Sequence, residues 1–219
     1  LGMEGWAEEA VAAANNEELI VVVASEGADL IKRAGSGGEA GQKGEGHGEV
    51  SYDPHLWLGV KGAETEAVNI KNALVLIDPE NKDYYEANCQ EFVSRLEALY
   101  DEYKEKFSQA EKNSFVTGHA AFGYLCRDFG LTQKSVMDIY AGGEPSAQQL
   151  TALVEYCKEN GVTTIFAEEM ASPAVSQTLA AEVGAKVQTI FTMETSEDGR
   201  TYLERMEENL LRIHESLSK

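Results

Sequence analysis

Two histidines and a group of late carboxylates carry the chemistry this sequence offers. His119 follows the run Ser114-Phe-Val-Thr-Gly118, Glu168 and Glu169 follow Thr163-Thr-Ile-Phe-Ala167, and Glu194 follows Lys186-Val-Gln-Thr-Ile-Phe191 after Thr192 and Met193. Each preceding run reads as a short strand, so one imidazole and three carboxylates fall at strand ends. Imidazole with carboxylate is a ligand set for zinc and its neighbours. A lone histidine at a strand end also serves as a hydrogen-bonded structural residue, and both readings stay open here. The second imidazole of interest is His55, in Tyr52-Asp-Pro-His-Leu-Trp-Leu58. Asp-Pro signals a turn and a helix start, and Leu-Trp-Leu supplies an apolar anchor that would hold the ring rigidly. The same spacing suits a partly buried histidine beside Trp57. His47 sits in a glycine-rich stretch and His214 on the last helix among charged neighbours, and both read as solvated. There is no HExxH, no GxSxG and no Cys/His signature, and the adjacent Glu168 and Glu169 would point to opposite faces of an extended chain. No catalysis is expected.

The elements that must position these residues follow from hydrophobic periodicity. After residue 112 the pattern is regular: strands at 114–117, 135–139, 163–167 and 186–191 alternate with helices at 121–129, 146–160, 173–183 and about 199–217. Four strand–helix units in succession predict an α/β fold with a four-stranded parallel sheet and flanking helices. Such sheets bind ligands at the carboxyl ends of their strands, which is where His119, Glu168, Glu169 and Glu194 fall. Upstream, Tyr85, Cys89, Phe92, Leu96, Leu99, Tyr103 and Phe107 step by threes and fours and predict a helix over 80–107, either a coiled-coil arm or a rigid strut joining two lobes. Residues 58–77 predict another helix, with Ala67, Ile70, Leu74 and Ile77 on one stripe, ended by Asp78-Pro79. Residues 4–14 read as a short helix, and the apolar run Leu19-Ile-Val-Val-Val23 reads as a strand buried on both faces. Residues 33–51 read as a flexible Gly-rich loop without phosphate-binding spacing. The expected division is therefore 1–79 as an N-terminal α/β lobe, 80–111 as the linking helix and 112–219 as the C-terminal α/β lobe.

Composition narrows the partners. Among 219 residues, 18 Lys and Arg stand against 38 Asp and Glu, for a formal charge of −20. That balance repels nucleic acid and anionic lipid and leaves cations as the natural ligands. Three cysteines without CxxC spacing argue against a disulfide scaffold or a thiolate zinc site. No run approaches the length of a membrane-spanning helix.

DPHLWL at 53–58, FVTGHAAFGYL at 115–125, GEPSAQQL at 143–150 and FAEEMASPAVSQTLA at 166–180 together resemble the zinc- and manganese-binding solute-binding proteins of bacterial ABC importers. The resemblance implies two α/β lobes joined by one long rigid helix, with the metal between them, and a receptor outside the cytoplasmic membrane that delivers its ion to an ABC permease. Carried over residue by residue, it implies His55, His119 and, on a looser alignment, Glu194 as metal ligands, with Glu168 or Glu169 as alternatives for the carboxylate. Manganese-binding relatives tend to carry a carboxylate where this chain has His119, so the resemblance implies zinc rather than manganese. An adhesion or interaction protein that keeps this fold with weak or no metal binding is the alternative.

Three departures from the family pattern stand out. The histidine-rich loop is reduced to His47, the usual Asp after Leu-Trp-Leu is replaced by Gly59, and the N-terminal lobe is incomplete, without the segment that carries the family's first histidine. Gly59 is expected to loosen the start of the following helix. The lone strand at 19–23 is expected to need a preceding segment, a partner chain or strand exchange in a dimer.

Overall fold

The computed structural model describes residues 1–32, 51–138, 146–169, 172–195 and 198–218. The predicted loop at 33–51 lies almost wholly, and His47 and Ile139 entirely, outside the described residues.

Strands β1 (Ser114–His119), β2 (Thr132–Met137), β3 (Thr164–Glu168) and β4 (Lys186–Ile190) form one parallel sheet in the order β2-β1-β3-β4. Between and after them run α4 (Gly123–Phe129), α5 (Ala147–Glu159), α6 (Ala174–Val183) and α7 (Tyr202–Leu217), and ahead of them α1 (Ala7–Ala14), α2 (Val60–Ile77) and α3 (Lys82–Ser108). This is the predicted α/β architecture with its long helix. Alternation along the central strands sorts the core into two layers. Phe115 and Phe166 pack with α3, α4 and α7, whereas Val116 and Ile165 pack with Leu153, Cys157, Leu179 and Ala180 of α5 and α6. A strand buried on both faces needs apolar residues in both parities, which is why 115–116 and 165–166 read as uninterrupted runs.

The strand β2 begins three residues earlier than the sequence suggests. It occupies the sheet edge and pairs Ser114 with Thr132 through Thr117 with Ser135. Its polar residues Thr132, Gln133 and Lys134 are half-buried or exposed, so no apolar signal marks its start. The α7 helix starts at Tyr202 rather than near Gly199, because Thr201 and Glu204 close a capping box that satisfies the first N–H groups.

One upstream expectation is corrected in this region. Residues 19–23 form no strand, and Leu19, Ile20, Val21, Val22 and Val23 are 41–59% exposed. Among the described residues no strand lies alongside to pair with them, so an apolar run that would suit a central strand stays open to solvent. The stripe on α2 is likewise open, with Ile70, Leu74 and Ile77 all exposed. Only the first turns of α2 are buried, through Val60, Gly62 and Ala63.

Gly59 does not leave the start of α2 unsupported. A Cβ there would lie 2.7 Å from Tyr124 Cβ, so the position has no room for a side chain. The cap comes from another element: Asp128, on α4, accepts the Lys61 N–H at 3.0 Å. The long α3 helix buries Leu96, Tyr103 and Phe107 and packs along α2, α4 and α7. His214 lies at the surface, with its half-buried ring edge-on to Phe107. Cys126 and Cys157 are buried on opposite faces of the sheet, and all three cysteines are free.

Candidate metal centre

His119 ends β1, and the parallel register places Val116 of β1 beside Ile165 of β3. Three residues further along each strand stand His119 and Glu168, on the same face and at the carboxyl edge. The Glu168 Oε1 accepts the His119 backbone N–H at 2.9 Å and lies 3.2 Å from His119 Nδ1. The His119 carbonyl accepts from Thr117 Oγ1 at 2.7 Å and from Gln133 Nε2 at 2.7 Å, and Gln133 Oε1 accepts the Phe122 N–H at 2.9 Å. The loop after β1 is thereby held by side chains from β1, β2 and β3.

His55 reaches the same edge from the other direction. The segment before it is tied down by the antiparallel Lys32–Tyr52 bridge and by the Asp53 N–H donating to the Ile31 carbonyl at 2.9 Å. Behind it, Leu56 and Leu58 are wholly buried in a single 3-10 turn. Asp53 Oδ1 accepts the His55 backbone N–H at 3.0 Å and lies 2.9 Å from His55 Nδ1, and the Asp53 carbonyl accepts from Tyr124 Oη at 2.7 Å. Asp53 is itself only 3% exposed.

The two imidazoles therefore share one arrangement. In each, Nδ1 is engaged by a buried carboxylate, which fixes the ring and leaves Nε2 free as the donor atom. The ring centroids stand 5.5 Å apart. Glu194, exposed in the turn after β4, completes the group: one ligand-type atom from each of His55, His119 and Glu194 lies within 4.8 Å of the other two. Among the described residues this is the group of three or more His, Cys, Asp or Glu side chains found so disposed.

Burial alone would push the His119 imidazolium down, but the hydrogen bond and charge of Glu168, with the charges of Glu194 and Asp53, carry its pKa above the ordinary 6.5. The surrounding carboxylates thus favour a positive charge on the His119 ring.

Glu168 and Glu169, open alternatives in the sequence, do different work. Glu168 lies behind His119, and Glu169 accepts the backbone N–H groups of Thr192 and Met193 at 2.8 and 3.0 Å. Sequence reasoning passed over Asp53 as the partner of the His55 ring, although Asp-x-His spacing on a tight turn was the available signal. It also passed over the indole of Trp57, which donates to the Thr192 carbonyl at 2.7 Å and so links the His55 segment to the Glu194 turn.

A parallel α/β sheet beside a long helix, with ligand-type side chains converging on its carboxyl edge, is the build of a metal-binding solute-binding protein of an ABC importer. The profile of one such family, described as ZnuA, zinc-uptake complex component A, periplasmic, matches residues 1–216. The chain belongs to that family. It is 44% identical over 221 residues to a putative metal-binding protein of Treponema pallidum, covering 100% of this chain and 70% of that protein. It is 37% identical over 220 residues to the high-affinity zinc uptake system protein ZnuA of Bacillus subtilis, covering 98% of this chain and 69% of the relative. Among solved structures, the laminin-binding protein Lmb of Streptococcus agalactiae, described as bifunctional with adhesin and metal transporting activity, superposes with a TM-score of 0.73 at 39% identity over 76% of this chain and 65% of its own. The chain thus spans about two thirds of the length of these relatives.

Proposed function

We propose that this chain captures Zn2+ through His55, His119 and Glu194 for delivery to an ABC permease on the outer face of the cytoplasmic membrane. The observation that carries the reading is the convergence of these three donors within 4.8 Å, with both histidines oriented by buried carboxylates. Two imidazole nitrogens and one carboxylate oxygen are borderline and hard donors that suit zinc, and they leave a tetrahedral ion one further position. Imidazole at His119 favours zinc over manganese on the same softness grounds. The matched relatives described as zinc uptake proteins support the cargo. The site is read as a binding site without a catalytic role. The domain division we propose is 1–79, 80–111 and 112–219, with the long helix α3 as the link. A partner chain or second copy covering the exposed run at 19–23 belongs to the same proposal, and the mass in solution reads it out.

The test is zinc titration of the chain in competition with a chelating dye. One-to-one binding weakened at least about a hundredfold by His119→Ala and by His55→Ala is the expected result. Binding indifferent to both substitutions would overturn the reading and favour an adhesion protein of this fold, as the adhesin activity of the Streptococcus agalactiae relative suggests.

A further inference from the structure

Glu194 reaches the histidines from a turn with an unusual backbone. Met193, immediately before it, has φ +59°, a left-handed conformation that a side chain larger than glycine rarely adopts. Such a conformation persists only where its surroundings over-determine it. Two residues earlier, just beyond β4, Phe191 is fixed: its N–H donates to Asn209 Oδ1 at 2.8 Å, and Asn209 Nδ2 donates back to the Phe191 carbonyl at 2.7 Å. Asn209 is fully buried on α7, so this end does not move. The next two residues are held by one carboxylate. Glu169 Oε2 accepts the Thr192 N–H at 2.8 Å and Glu169 Oε1 accepts the Met193 N–H at 3.0 Å. The Thr192 carbonyl accepts from the Trp57 indole, whose own backbone carbonyl accepts from Tyr202 Oη at 2.6 Å.

We infer that Glu169 is the positioning residue for Glu194, fixing the two peptide planes that lead into the left-handed turn at Met193 and so the direction in which that turn carries the Glu194 carboxylate toward His55 and His119. Two successive backbone N–H groups pointing at one carboxylate fix the peptide planes on both sides of Thr192. An acceptor on each oxygen is required, which a Glu carboxylate supplies at this reach and a Gln amide does not. The adjacent pair Glu168-Glu169 therefore orients two different ligands, one acting on His119 and the other on Glu194. The inference rests on Glu194 being a zinc ligand, as proposed above, for its effect on affinity. Its effect on the turn stands without that.

The test uses Glu169→Gln, in which an amide NH2 replaces one oxygen and faces a backbone N–H, donor against donor. In the metal-free chain, the amides of Thr192 and Met193 are expected to exchange with deuterium faster in this variant while the Phe191 amide, bonded to Asn209, keeps its rate. Zinc affinity is expected to fall about ten- to a hundredfold. With Glu194→Gln already in place, the same substitution is expected to change affinity by no more than about twofold, because its effect passes through Glu194. A merely structural role would lower affinity equally in both backgrounds. Unchanged exchange at 192 and 193, or equal losses with and without Glu194, would overturn the inference. If the chain binds no zinc, the exchange comparison alone decides the inference, and the zinc result counts against the proposed function. Should Glu169→Gln not fold, Glu169→Asp, one methylene short of Met193, reads the same coupling.

Discussion

A methyl group on Gly118 would lie 2.2 Å from Glu168 Oε2. The absence of a side chain on β1 is what lets the β3 carboxylate lie flat against the end of the strand and reach both the backbone N–H and the Nδ1 of His119. Because the clashing atom is the far end of a flexible side chain, Gly118→Ala is expected to displace the carboxylate rather than the sheet. Thermal stability should fall modestly, by about 1–3 kcal/mol, while zinc affinity falls about tenfold or more. Zinc titration beside a thermal melt separates the two effects. A large stability loss with intact affinity would contradict the role given to Glu168.

The cap that Asp128 lends to α2 makes a second prediction. Removing the only side chain that accepts the Lys61 N–H should cost about 1 kcal/mol, as for an ordinary N-cap, although the acceptor sits on another helix, α4. Denaturant unfolding of Asp128→Ala checks it, and Asp128→Asn, which keeps an acceptor oxygen, should recover most of the loss.

A third prediction concerns pH. Burial, with a smaller contribution from the charge of Glu4, raises the Glu66 carboxyl from 4.5 to about 7. An acid raised in the folded state keeps a proton that the unfolded chain has released, so stability falls as pH rises from about 4.5 to about 7 and stays lowered above. Glu66→Gln removes that loss. Its melting temperature should match the parent at pH 4 and exceed it at pH 8 by the equivalent of about 1 kcal/mol, after discounting for the solvent that reaches this half-buried group. Equal shifts at both pH values would refute the assignment.

Cysteine chemistry gives a fourth. Burial pushes the Cys126 thiol up to about 12 and the Cys157 thiol up to about 11, so neither supplies thiolate at neutral pH. Cys89 is half-buried on α3. Native labelling with a maleimide at pH 7 should modify Cys89 first and leave the other two until the chain unfolds, and mass spectrometry of the digested product reads the order.

Much of the fold was legible because its signals are local. Strand–helix alternation after residue 112 follows from apolar runs and helical stripes that need no knowledge of what they pack against. The long helix follows from seven apolar positions spaced by threes and fours. The edge strand β2 was misplaced because a strand with one free edge and polar residues at 132–134 carries no apolar pattern. The run at 19–23 failed for the opposite reason: its composition suits a central strand, but a strand exists only where another strand lies beside it to accept its hydrogen bonds.

By itself the sequence determined the family, the parallel sheet and the interest of His55, His119 and the strand-end carboxylates, because residue types, periodicity and motif spacing are properties of the chain alone. Which carboxylate does what was decided only by tertiary structure. The sequence leaves Glu168 and Glu169 open as alternatives to Glu194, and the pairing of Val116 with Ile165 sets Glu168 behind His119 while the turn after β4 carries Glu194 to the imidazoles. Gly59 reads as a weakness until Asp128, on another helix, is seen to supply the missing cap. These assignments depend on distances of a few ångströms between residues 24 to 67 positions apart in the chain. Local pattern carries no information about such distances, and strand register and helix packing create them.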